Sequence, residues 1–161
     1  MIRIVPEPLR ADAFAPFGDV IECVGVPDKI INQGLCGRFH DRARMDFGDG
    51  QAGISLFNAT PRSFPYTLDM MERHPDGSQA FIPMTQAPFL VIVASDEDGK
   101  PSAPRAFVTK SGQAINYHRN IWHGVCAPLH APGLFTVVDR IGGSGDNLQE
   151  HWFDDPFSVE P

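Results

Sequence analysis

The chain has 161 residues, 42% hydrophobic and 20% charged, enough for one globular domain with a sizeable core. Its 13 Lys and Arg against 20 Asp and Glu give a net charge of −7 with no basic run, which argues against nucleic acid or an anionic membrane as main partner. Fifteen glycines and fifteen prolines favour many turns over long helices.

In chain order, residues 2–5 form a short apolar strand ended by Pro6 and Pro8. Residues 10–14 suit a turn or two of helix, closed near Pro16 and Gly18, and residues 19–24 a second strand. Residues 52–58 alternate as a strand. Residues 64–73 and 79–84 flank His74-Pro75-Asp76-Gly77-Ser78, a strong turn sequence, so residues 66–84 are expected to form a hairpin. Residues 89–94 are nearly all apolar and belong in the core. Residues 96–104 read as a solvated loop, followed by strands at 105–110, 113–117, 121–126 and 134–139. Gly142-Gly-Ser-Gly-Asp-Asn147 lacks the Lys and Ser/Thr of a phosphate cradle and reads as a flexible turn or a lid. The tail after Gln149 carries Trp152, Phe153 and Phe157, so it is expected to dock.

About ten short strands, one or two short helices and frequent turn signals predict an all-β protein: an antiparallel barrel or sandwich, as a single domain over residues 1–161. Cys23, Cys36 and Cys126 sit at unrelated spacings and form no disulfide or metal pattern, which suits a reducing compartment. No apolar run approaches the roughly 18 residues of a membrane span, and residues 1–8 lack the apolar stretch of a signal peptide. A cytoplasmic protein is expected.

The chemistry concentrates in two places. Residues 112–124 hold His118, Arg119, Asn120 and His123 among strand formers; such polar groups cost free energy to bury unless they converge on partners. Alternation along a strand turns Glu72 and His74 one way with Arg73 opposite, and puts Gln79 on a common face with Phe81. Glu72, His74 and Gln79 are thereby presented to one space. Tyr117 and Trp122 read as packing.

The spacing resembles the two motifs of the cupin barrel. Glu72-x-His74, four residues, Gln79 follows the first frame. Gly112, five residues, His118-x-Asn120, two residues, His123 follows the second, with several identities changed in both. Glu72-Arg-His-Pro-Asp-Gly-Ser-Gln-Ala-Phe-Ile-Pro-Met84 and Ile115-Asn-Tyr-His-Arg-Asn-Ile-Trp-His123 resemble the signature stretches of the bacterial ureidoglycolate lyase family. Ala13-Phe-Ala-Pro-Phe-Gly-Asp-Val20, Arg38-Phe-His-Asp41 and Val138-Asp-Arg-Ile-Gly-Gly-Ser144 are similar to it as well, so the resemblance runs over residues 2–155. It implies a cupin-type jelly-roll barrel, a homodimer, and cleavage of (S)-ureidoglycolate to glyoxylate and urea in allantoin breakdown.

That reaction needs a base, an acid and a group to grip a carboxylate. Histidine can take either proton role near neutral pH, so His118, His74 and His123 are the expected catalytic residues. Gln79, Glu72, Asn120 and Arg119 are the expected substrate contacts. His74, Gln79 and His123 are expected as ligands if a divalent metal, nickel or zinc, is bound; Glu72, His74 and His123 also resemble a two-His, one-carboxylate set. Gln79, a neutral amide where cupins place a Glu, leaves a metal-free site as the alternative. Rival readings are a non-catalytic cupin binding a small carboxylic acid, a hydrolase releasing ammonia from the same substrate, and an oxidative metal-dependent cupin.

Overall fold

A computed structural model describes residues 1–161. It contains seventeen strand segments, one four-residue α-helix (Ala11–Phe14) and one 3-10 turn (Asn32–Gly34), in agreement with the expected all-β cupin-type fold. Two sheets face each other. The larger runs in the order Ile2–Ile4, Gln149–Val159, Tyr66–Arg73, Trp122–His123, Phe89–Ala94, Arg105–Val108, Glu7–Pro8, with Ala127–Pro128 also beside Phe89–Ala94. The smaller runs Gly18–Ile21, Ala114–Tyr117, Gln79–Pro83, Leu134–Ile141, Gln51–Asn58. Pairing is antiparallel except where Ile2–Ile4 meets Gln149–Val159 and Glu7–Pro8 meets Arg105–Val108.

The unbroken apolar run of Phe89–Ala94 has a direct cause: both faces of that strand are covered. Phe89, Val91 and Val93 point between the sheets and meet Phe81, Phe107, Ile115, Tyr117, Phe135 and Val137. Leu90, Ile92 and Ala94 point the other way, into a second cluster with Leu68, Met71, Trp122 and Val159. The short helix exists to place Phe14, which is fully buried against Phe17, Phe107 and Tyr117 with ring centroids 5.9–6.3 Å apart. Phe153 and Phe157 of the tail pack on the second cluster as expected, but Trp152 remains 62% exposed, beside an irregularity in strand register.

The expected hairpin over residues 66–84 does not form. Tyr66–Arg73 joins the larger sheet between Gln149–Val159 and Trp122–His123, whereas Gln79–Pro83 joins the smaller between Ala114–Tyr117 and Leu134–Ile141. The turn at 74–78 therefore carries the chain from one layer to the other. A tight turn fixes a reversal of direction, but which neighbours each strand takes is decided by where its apolar face is buried. This crossing creates the site.

Candidate active site

At the crossing, His74 ends the last stretch on the larger sheet and Gln79 begins the first on the smaller, and they meet: His74 Nε2 lies 3.1 Å from Gln79 Oε1. Cross-strand pairing brings in the rest. His123 is directly opposite Glu72, and Gln79 is flanked by Tyr117 on one side and Asp139 on the other. Directly opposed residues share a face, so Glu72, His74, Gln79, Tyr117, His123 and Asp139 all address the space between the sheets. The imidazoles of His74 and His123 are 5.2 Å apart between centroids, and one ligand atom from each of Glu72, His74 and His123 lies within 4.8 Å of the others.

Each imidazole is anchored through Nδ1. His123 Nδ1 donates to the Gly124 carbonyl at 3.0 Å, and His74 Nδ1 donates to the Asn147 carbonyl at 2.7 Å. That leaves both Nε2 atoms for the site, the arrangement by which outer partners orient histidine ligands of a metal. His123 Nε2 is buried with no hydrogen-bond partner at all. Burial, with His74 adding to it, pushes the His123 pKa down to about 3 despite the bond to Gly124, so the ring is neutral and offers a lone pair. Its plane is fixed by Tyr117, which stacks 4.2 Å away at an interplanar angle of 5°.

Burial raises the Glu72 carboxyl above its ordinary range, with Glu150 adding to the effect and His74, 3.9 Å away, opposing it. No Arg or Lys pairs with Glu72 or Asp139. The Glu72 carboxyl, both Nε2 atoms and the Gln79 amide oxygen thus converge without a Lys or Arg bonded to them, with the Asp139 carboxylate behind the amide. The donor set fits a divalent cation, and the buried lone pair of His123 is the specific feature that would be satisfied by one.

The remaining candidates lie elsewhere. His118 follows Tyr117, and since Tyr117 points in, His118 points out. Its Nε2 donates to Asp19 at 2.9 Å, and its Nδ1 accepts from Arg44 at 3.1 Å. Asn116, on the same outward face, donates to the same Asp19 oxygen at 3.0 Å. Strand alternation thus brings His74 and His123 together and turns the His118 ring to the Asp19 side. Arg119 is engaged with the Pro75 carbonyl at 2.6 Å and with Asp76 and Asp46 at 3.3 and 3.7 Å. Asn120 occupies a left-handed turn position (φ 66°), and its backbone N–H donates to the His74 carbonyl at 2.9 Å. Arg73 faces away, 4.4 Å over the Trp122 ring and 2.6 Å from Asp96.

Asp139 and Asn147 escaped the sequence reading. Asp139 had a signal, its place inside the Val138–Ser144 resemblance, but nothing local connects it to Gln79 sixty positions earlier. Asn147 closes the site: besides holding His74 it accepts from the Asp76 backbone N–H at 2.8 Å. The glycine-rich segment before it is held by Asp49, which binds both Arg140 at 2.6 Å and Ser144. Gly143, at φ +79°, lies against the Arg140 guanidinium, where any Cβ would collide.

The outward network makes a testable contribution to stability. Burial alone would raise Asp19, but donors from Asn116, the Arg44 amide and His118 hold its carboxyl below the usual 3.8. The native state then binds this proton less readily than the unfolded chain, so the stabilisation is present above about pH 4 and lost as pH falls below it. Asp19→Asn is expected to lower stability at pH 7 by about 1–3 kcal/mol and to flatten the acid limb of the stability curve. Urea denaturation between pH 3 and 7 checks it; an unchanged slope below pH 4 would rule the network out as its source.

The family model described as ureidoglycolate lyase matches residues 1–160. A ureidoglycolate lyase of Rhodobacter capsulatus is 58% identical over 161 residues, covering 99% of both chains. One from a Chelativorans species is 51% identical over 161 residues, covering 99% of this chain and 97% of its own. Ureidoglycolate lyase 2 of Rhizobium meliloti is 50% identical over 162 residues, again with 99% of both covered.

Proposed function

We propose that this chain, which belongs to the ureidoglycolate lyase family, is a carbon–nitrogen lyase that cleaves (S)-ureidoglycolate to glyoxylate and urea. The observation that carries the reading beyond family membership is the convergence of Glu72, His74, Gln79 and His123 between the sheets, with both imidazoles anchored so that Nε2 faces inward.

Ureidoglycolate carries a hydroxyl and a ureido nitrogen on one carbon, beside a carboxylate. Cleavage moves one proton: the hydroxyl loses it, its electrons form the carbonyl, the C–N pair leaves with nitrogen, and nitrogen is protonated to give urea. A single carrier placed between oxygen and nitrogen can perform both transfers. Glu72 suits that role, because burial raises its carboxyl above the ordinary range and makes it a better proton acceptor than an ordinary carboxylate, able to return the proton afterwards. A divalent cation, nickel or zinc, would be held by His74 and His123 with Gln79 Oε1 as third ligand, and would supply polarisation of the hydroxyl and carboxylate oxygens, leaving the Glu72 carboxyl free to carry the proton. Gln79 Oε1 presents an acceptor on the same side, and Tyr117 holds His123 in plane. His118, Arg119 and Asn120 enter the proposal as supports: His118 through Asp19 and Arg44, Arg119 and Asn120 through the 74–76 turn.

Incubating purified protein with ureidoglycolate, before and after chelator treatment, while following glyoxylate, urea and ammonia separately, tests this directly. Glyoxylate with equal urea, and a chelator loss restored by nickel or zinc, is the expected result. Ammonia in place of urea would replace the reading with a hydrolase, and no turnover with saturable glyoxylate binding would leave a binding protein.

The proposal places the enzyme in the cytoplasm, in allantoin degradation, with no nucleic-acid or membrane partner, as a homodimer. Supporting the dimer, the outer edge strand Gln51–Asn58 is uncharged and turns Ile54 and Leu56 outward at 75% and 70% exposure. Leu56→Glu is expected to convert a dimer to monomer by light scattering; a monomeric wild type, or an unaffected dimer, would remove this face from the proposal.

A further inference from the structure

An amide side chain is ambivalent: one end accepts hydrogen bonds and the other donates. In Gln79 the ambiguity is resolved by a neighbour. Gln79 Nε2 donates to Asp139 Oδ2 at 3.0 Å, across a directly opposed pair of the Gln79–Pro83 and Leu134–Ile141 strands. With the NH2 end bonded to the Asp139 oxygen, the amide oxygen faces His74 Nε2, 3.1 Å away. Gln79 is 5% exposed, so its orientation is set by these neighbours more than by bulk water. Reversing the amide would set its oxygen against the Asp139 carboxylate, two acceptors at hydrogen-bond distance, and would turn N–H groups toward the position a cation or a ureido N–H would occupy.

We infer that Asp139 is a positioning residue of the site, whose carboxylate sets the Gln79 amide so that an oxygen, and not an NH2 group, faces the reacting groups. The inference rests on the lyase reading of this site and deepens it. The inward oxygen is an acceptor suited to a ureido N–H of the substrate or to a cation held by the two histidines. Either partner is repelled by the opposite end of the same amide. Asp139 thus acts through polarity, without touching substrate itself.

A two-residue exchange tests this, because it reverses the polarity of the pair while keeping an acceptor inward. Asp139→Asn removes the fixed acceptor, so the amide takes both orientations; kcat/KM is expected to fall about 10–100-fold, with a comparable loss of nickel affinity measured by competition with a chromophoric chelator. Gln79→Glu opposes two carboxylates at the distance of a hydrogen bond and is expected to lose at least as much. In Gln79→Glu/Asp139→Asn the new Asn donates to the new carboxylate, and kcat/KM is expected to recover to within about tenfold of wild type. A pair that served folding alone would show its coupling in urea denaturation and leave kcat/KM and nickel affinity of the folded single variants near wild type. Wild-type kinetics in Asp139→Asn, or a double variant no better than Gln79→Glu, would overturn the inference. Absence of turnover in the wild type would overturn the lyase reading alone. Urea-denaturation coupling across the same four proteins would still judge the pair, with coupling below about 0.5 kcal/mol counting against it.

Discussion

Replacing His123 with Phe lowers kcat/KM by about a thousandfold, equivalent to ~4 kcal/mol of transition-state stabilisation, while the protein stays folded. The two halves of that expectation have separate causes. Phe keeps the aromatic stack on Tyr117, 4.2 Å away, and fills the same fully buried position. It discards Nε2, the one imidazole nitrogen buried without a partner. Removing the unsatisfied Nε2 favours folding, while losing the Nδ1 bond to the Gly124 carbonyl costs about 1–3 kcal/mol, so the net change in stability is expected to be modest. Activity and stability are therefore expected to move independently. Steady-state kinetics alongside thermal melting checks both; a folded variant with wild-type turnover would remove His123 from the chemistry.

Phe14→Ala is the largest expected loss of stability, about 3–5 kcal/mol, which lowers the melting temperature by roughly 6–20 °C in a domain of this size. Phe14 is the only buried residue of its short helix and touches three aromatic rings at once. The three ring neighbours sit in a close-packed layer and cannot extend into the space its ring leaves. One of them, Tyr117, backs His123, so the cavity is also expected to lower kcat below the melting transition. A melting temperature within 2 °C of wild type would show that the aromatic layer relaxes around the loss.

Much of the fold was legible locally. Turn sequences, short apolar runs and the scarcity of helix signals follow from backbone preferences and solvent exposure, so the all-β reading survives intact. The full burial of Phe89–Ala94 was readable for the same reason. Within the site, alternation placed Glu72 and His74 together with Arg73 opposed. It also separates Tyr117 from His118, which cannot share a face; which of them turns inward needed the knowledge that the aromatic ring, with its larger apolar area, takes the interior.

The sequence by itself determined the strand pattern, the two motif stretches and the inward candidates Glu72, His74, Gln79 and His123. Only the tertiary structure decided that the 74–78 turn crosses between sheets, that Asp139 sits opposite Gln79, and that Asn147 holds His74. The difference is one of range. Alternation and turn preference act between neighbours a few residues apart, so a single sequence reveals them. Sheet membership is set by the combined burial of many strands, so contacts made across 60 or more positions exist only once both layers have packed.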